Sequence, residues 1–159
     1  IRFGYCEDDR DIAQYSGQEF DKILFEEAVH FLTRALSEIM SRDRGNALSR
    51  AARELLGMTG GCWLLTNPGG RAALFLKDFF ITRTPDPAEF PNYDPQYYGQ
   101  LTGDLTDNPY LDEDFLTASL GSLGASRFQQ LSKGDWDVTV NQYFSTFTKE
   151  THVFSIEPD

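Results

Sequence analysis

The chain has 159 residues, a length that fits one domain with one hydrophobic core. Aromatic residues make up 14% of it, with thirteen Phe and seven Tyr, so the composition predicts a folded domain rather than a disordered chain. The formal net charge of −11 disfavours direct contact with nucleic acid or with an anionic membrane surface.

The cysteines and the hydropathy pattern bear on the cellular location of the protein. Cys6 and Cys62 are too few for a disulfide framework, and they favour a reducing, cytoplasmic setting. No apolar run reaches the length of a membrane-spanning helix, and no secretory signal peptide is visible. The chain starts at Ile1 rather than Met, so we expect a trimmed fragment of a longer protein.

Residues 1–15 are polar and read as a lead-in, and residues 16–159 read as a single domain. Ser16 and Glu19 fit a capping box at the start of a helix that the periodicity predicts over residues 17–42. The apolar stripe of this helix is wider than one core face requires. The excess predicts a homodimer through residues 17–42, or else a helix buried on two sides within its own domain.

The next stretch predicts a helix followed by a hairpin. An Ala-rich helix is expected over residues 47–56, and two antiparallel strands over residues 62–66 and 71–77. Residues 67–70 are Asn-Pro-Gly-Gly, whose glycines permit positive φ in a tight turn.

The second half of the chain is less regular. Residues 84–114 are rich in Pro, Asp and Tyr and predict either a structured crossing with a short helix near residues 95–101 or a mobile lid. Residues 127–131 and 151–156 read as strands, whereas residues 136–148 fit a helix or a strand.

Catalytic and metal-binding patterns are weak. His30 and His152 are not part of a recognisable triad or Cys-His signature, so the sequence predicts no catalytic site. Two Cys and two His, all far apart, predict no metal centre, and no cofactor motif is present. An acidic cluster near residues 104–114 lacks the calcium-loop pattern and reads as a solvated loop.

Aromatic residues carry the strongest functional signal. Phe90, Tyr93, Tyr97, Tyr98 and Tyr110 all lie in the polar crossing segment. An apolar pocket with a few phenol and carboxylate groups is a typical small-molecule site. The alternative is that these rings only pack against a sheet.

The order of these motifs resembles the GAF/PAS-like sensor domains of LuxR-type transcription regulators. Phe90-Pro91 stands in the place of the family's aromatic-Pro pair, Tyr98 follows at the family's spacing, and Asp107 takes the place of its Asp. The family's Trp position is Asp94 here. In receptors of this family the Trp and the Asp hold the lactone and amide of the ligand, so the resemblance implies a ligand site with a different specificity.

We therefore expect an α+β fold with a central antiparallel sheet flanked by helices, GAF/PAS-like. Its function would be small-molecule sensing for transcription regulation or signalling, with Asp107 and a tyrosine hydroxyl orienting an unknown ligand. The predicted ligand-binding residues are Trp63, Leu65, Phe75, Tyr93, Tyr97, Tyr98, Asp107 and Trp136. Two alternatives stay open: an acidic protein-interaction, inhibitor or immunity-type domain, and an enzyme that pairs His152 with Asp94 or Asp107.

Overall fold

A computed structural model describes residues 1–44, 51, 54–55, 60–103, 105–111, 114, 118, 120–138 and 151. In chain order its helices and strands are α1 (Asp9–Ile12), β1 (Ile23–Glu26), α2 (Thr33–Met40), β2 (Cys62–Leu65), α3 (Ala73–Leu76) and α4 (Ala125–Lys133). A π-helical turn, Lys77–Ile81, continues α3, and 3₁₀ turns lie at Ala13–Tyr15, Ala28–His30, Pro95–Tyr97 and Leu105–Asp107.

The described strands form one two-stranded sheet, and it is parallel. Ile23 is in register with Cys62, and Glu26 with Leu65. The predicted central antiparallel sheet is therefore wrong. The predicted hairpin is wrong as well, because the segment after β2 turns at Gly69 and Gly70 and enters α3 instead of a second strand. Positive φ at Gly69 and Gly70 is confirmed.

The predicted helix over residues 17–42 is also wrong, because the structure divides it. β1 occupies its first half and α2 its second, with the left-handed residue Glu27 (φ 52°) and a 3₁₀ turn between them. The apolar stripe looked too wide because it merged one strand face with one helix face. Ser16 follows a 3₁₀ turn and caps no α-helix.

A true capping box lies earlier in the chain. The Asp8 carboxylate accepts from the backbone N–H of Arg10 and Asp11, and Asp11 Oδ2 accepts from the Asp8 N–H at 3.2 Å. This arrangement fixes the start of α1. Ile12 at the end of α1 is buried in the core, as is Cys6. Part of the predicted lead-in therefore contributes to the core.

The core lies where α2 packs with β1 and α3. Ala35, Leu36 and Ile39 form the buried face of α2, and Ile23 and Phe25 form the buried face of β1. The turn that leads into α3 is tied to this core because the Ala72 N–H donates to the Val29 carbonyl at 3.0 Å.

The predicted strand over residues 127–131 is wrong, because this segment lies within α4. α4 starts after Gly124 and ends at Gly134, whose φ of 61° is the left-handed conformation common after a helix. The predicted helix over 47–56, the element over 136–148 and the strand over 151–156 lie mostly or wholly outside the described residues. Among the described residues, no helix has both the length and the apolar character needed to cross a membrane.

Candidate functional site

Phe79 is the centre of an aromatic cluster that joins α3 to the crossing segment. Its ring centroid lies 4.3 Å from that of Phe75, 4.7 Å from Phe90, 5.2 Å from Tyr93 and 5.5 Å from Tyr98. Most of these pairs meet edge to face, which suits the ring quadrupoles. Phe79 is only 7% exposed, so its neighbours enclose it.

The two tyrosines of this cluster are structural. Tyr93 stacks on Tyr98 at 4.7 Å, and the Tyr93 hydroxyl donates to the Phe79 carbonyl oxygen at 2.7 Å. Burial raises the pKa of both phenols. A smaller increase in pKa comes from the neighbouring Tyr98 for Tyr93 and from Cys62 for Tyr98. Both stay neutral, and the Tyr93 hydroxyl already has a protein acceptor.

An open groove lies next to this filled cluster. Its volume is about 610 Å³, within the range of about 300–1,000 Å³ typical of small-molecule sites. All four residues of β2, from both faces of the strand, are among its lining. The segment 99–103 forms the opposite wall, and Phe80, Ile81 and Trp136 complete the lining.

Two apolar side chains of β2 remain about half exposed in this groove. Trp63 is 48% exposed and Leu65 is 52% exposed, because they lie on the face of the sheet that points away from the core. The Lys22 ammonium lies 5.9 Å from the centroid of the Trp63 ring, a cation–π distance. The groove thus offers aromatic and aliphatic area to a ligand.

Cys62 lies in the groove lining but is chemically quiet. Desolvation, with a smaller contribution from Asp43, raises the pKa of its thiol to about 12, and its Sγ lies 3.8 Å from the Met40 carbonyl oxygen. A thiol that stays protonated is a poor nucleophile. Cys62 therefore gives the groove no reactive thiolate near neutral pH.

The structure distributes the eight predicted ligand-binding residues over three places. Trp63, Leu65 and Trp136 line the groove. Phe75, Tyr93 and Tyr98 belong to the aromatic cluster. Tyr97 and Asp107 are exposed outside both, although Asp107 Oδ2 lies 4.0 Å from where a Cβ on Gly103 would be. Asp107 is thus near the groove wall without being part of the lining.

Sequence reasoning missed Phe80, Ile81 and the wall at residues 99–103. The first two were missed because the α3 segment was predicted as a strand. The run Arg71-Ala-Ala-Leu-Phe-Leu-Lys77 consists mostly of good helix formers, and this signal favours the helix that the structure has. The predicted short helix near residues 95–101 is present only as the 3₁₀ turn Pro95–Tyr97, and the wall at residues 99–103 that follows it is irregular.

The other candidate groups have local structural roles. Asp94 accepts from the Gln96 backbone N–H at 3.1 Å and from Gln96 Nε2 at 2.6 Å, which caps a 3₁₀ turn. His30 is exposed and lies 4.0 Å from Glu27. His152 lies outside the described residues. No group of three or more metal-binding side chains occurs in the described part of the chain.

Comparison with protein-family models, with curated proteins and with solved structures gave no match in any of the three.

Proposed function

We propose that this domain binds a small apolar or planar molecule in the groove along β2 and acts as the ligand-sensing part of a regulatory protein. The observation that carries the proposal is the accessibility of Trp63 and Leu65 beside a cavity of about 610 Å³. Apolar side chains that pack only for stability gain by being covered, whereas these two leave area for a ligand to cover.

The chain has two tryptophans, and both line the groove. Their emission therefore responds to binding in the groove, so ligand binding is directly measurable. The neutral planar probe N-phenyl-1-naphthylamine is expected to bind saturably, to quench tryptophan emission and to gain its own emission. Native mass spectrometry of the purified chain, compared with its denatured mass, would show whether a natural ligand co-purifies.

Trp63→Ala tests the site. Removing the ring takes away a large apolar contact, so the affinity for the probe should fall about tenfold or more. The probe's own emission is the readout, because the variant loses one tryptophan. Tyr97→Ala is the matched control, since Tyr97 is an exposed aromatic residue outside the groove. Equal probe binding by wild type and Trp63→Ala would contradict the proposal.

A second candidate function is self-association, favoured by the pattern on the outward face of β1. Lys22, Leu24 and Glu26 are exposed there in the order positive, apolar, negative, and Leu24 is in register with Trp63. A two-fold axis that pairs this face with that of a second copy places Lys22 opposite Glu26 and Leu24 opposite Leu24. The predicted homodimer through residues 17–42 would then form through β1.

A charge-swap series tests the pairing. Lys22→Glu and Glu26→Lys should each weaken the dimer, because each sets like charges opposite one another, and the double variant should restore it. Sedimentation equilibrium gives the dissociation constants. A monomeric wild-type chain would overturn this candidate. It would leave the groove proposal standing, because both proposals involve Trp63 but probe binding and sedimentation are separate measurements.

We also propose a reducing, cytoplasmic location. Cys6 and Cys62 are free thiols, and burial raises the pKa of each. Non-reducing mass analysis of protein taken from its native source would test this. Two alkylatable thiols per chain is the expected result, and a mixed or intermolecular disulfide would contradict it.

A further inference from the structure

A second cavity, of about 680 Å³, lies beside the start of α3, and its charge is opposite to that of the chain. Arg71, Lys77 and Arg127 line it, together with one carboxylate, Asp137. The whole chain carries 14 Lys and Arg against 25 Asp and Glu, so three cations around one cavity stand out from the composition. We call this the cationic cavity.

Arg127 is held in place from two directions. One of its terminal nitrogens, Nη1, donates to the Pro68 carbonyl at 3.1 Å and to Gln130 Oε1 at 3.0 Å. Gln130 is almost fully buried, and its amide nitrogen donates to the Val138 carbonyl. A guanidinium positioned in advance loses less entropy when it binds a ligand.

Gly69 makes this arrangement possible. A Cβ at this position would lie 2.9 Å from Arg127 Nη1 and 2.9 Å from Gln130 Oε1, closer than such atoms approach. Its φ of +94° is also the left-handed conformation that glycine adopts most easily. The turn sequence therefore fits the placement of Arg127.

The other two cations have hydrogen-bonding capacity to spare. Arg71 Nε donates to the His30 carbonyl at 2.5 Å, and its two terminal nitrogens donate to none of the other described residues. Lys77 pairs with Asp137 at 2.5 Å, but the Asp137 side chain is 85% exposed and the Lys77 side chain only 25%. Asp137 can therefore turn into solvent when a stronger anion takes its place.

We propose that the cationic cavity binds the phosphate group of a small phosphorylated molecule, with Arg71, Lys77 and Arg127 as its ligands. A phosphate monoester carries a charge of about −1.5 to −2 near neutral pH, which three cations and one displaceable carboxylate match. Guanidinium groups bind its oxygens in pairs, and a lysine adds a point charge. This site is independent of the groove along β2, although Trp136 lines both cavities.

Inorganic phosphate is the probe, and the Trp63→Phe variant is the background, because Trp136 is then the remaining tryptophan. Phosphate should change Trp136 emission saturably and raise the melting temperature, since it binds the folded state. Sodium chloride at equal ionic strength should do neither. An equal response to chloride would overturn the proposal.

Four variants sharpen the test. Arg71→Gln and Arg127→Gln should each weaken phosphate binding about tenfold, while Arg34→Gln, an equal loss of charge at an exposed position outside the cavity, should not. Asp137→Asn should strengthen binding several-fold, because it removes the competing carboxylate. If Arg127→Gln fails to fold, the phosphate affinity of Arg71→Gln still tests the site, because residue 71 is exposed.

If Arg34→Gln and Arg71→Gln weaken phosphate binding equally, the binding reflects the overall charge of the protein, and the proposed site is overturned. Weaker binding in Asp137→Asn would contradict the exchange of Asp137 for phosphate. Failure of the naphthylamine probe to bind leaves these outcomes unaffected, so this proposal and the groove proposal fail separately.

Discussion

The aromatic cluster around Phe79 and the groove beside β2 use the same residue types for opposite purposes. In the cluster, five rings surround or touch one another at 4.3–6.4 Å and leave Phe79 7% exposed. In the groove, Trp63 and Leu65 stay about half exposed around open volume. Rings that enclose each other stabilise the fold, whereas rings that border a cavity are available to a ligand.

Among the substitutions that test this contrast, Phe79→Ala should cause the largest loss in the free energy of unfolding. Truncating a ring enclosed by four others removes its packing and leaves a cavity, which costs about 3–5 kcal/mol of the free energy of unfolding. Urea unfolding followed by far-ultraviolet circular dichroism measures it. Phe128→Ala is the control, since Phe128 is 41% exposed on α4. A similar loss in both variants would show that the cluster is no better packed than the surface.

Trp63→Ala should be much milder for stability. About half of this side chain already contacts water, so we expect a loss of about 1–1.5 kcal/mol. The same urea titration applies. A loss as large as that of Phe79→Ala would mean that Trp63 is a core residue and that the groove is closed in solution.

Tyr93→Phe isolates one hydrogen bond within the cluster. The ring stays, but the Phe79 carbonyl loses its donor at 2.7 Å, for an expected cost of about 1 kcal/mol. In a chain of this length that lowers the melting temperature by about 2–4 °C. Tyr97→Phe, at an exposed position, should leave the melting temperature unchanged.

Cys62 affects stability only at alkaline pH, outside the range in which the three substitutions above are compared. Its folded-state pKa of about 12 lies above the ordinary value of 9.0, so the unfolded state releases the proton first as pH rises. The stabilisation is complete below pH 9 and is lost between pH 9 and about 12. The fall in stability over this window should be smaller in Cys62→Ala than in wild type. Thiolate absorbance in a Cys6→Ser background gives the pKa directly, and a value near 9 would contradict the burial of this thiol.

The sequence predicts the turn at Gly69 and Gly70 but neither the elements beside it nor the sheet. Trp63, Leu65 and Trp136, three of the eight predicted ligand-binding residues, line the groove, and their binding role stays a prediction. The parallel pairing of β1 with β2 was not predictable from periodicity, because strand direction depends on which distant segment becomes the neighbour. The break between β1 and α2 lies at Glu27, which adopts a φ of 52°. Because glutamate rarely adopts a positive φ, its residue type does not predict this break.

Two errors came from signals that were present in the sequence. Gly134 follows a run of polar residues and lysine, which is typical of a helix end, yet residues 127–131 were predicted as a strand. The α3 segment is a short apolar run, which fits a buried strand, but it is rich in helix formers. The cationic cavity was out of reach for another reason: Arg71, Lys77 and Arg127 are separated in sequence, and only the packing of α4 beside the turn brings them to one cavity.

The pairing of residue 23 with residue 62 has a consequence for how the chain folds. The strands can pair only when the long connection between them closes, and this closure costs entropy before any strand contact compensates. We expect α2 helicity to appear before the emission of Trp63 changes during refolding. During synthesis on the ribosome, Leu24 and Phe25 have no strand partner until β2 has emerged. The nascent chain therefore exposes these apolar side chains for a time, and a chaperone would recognise them.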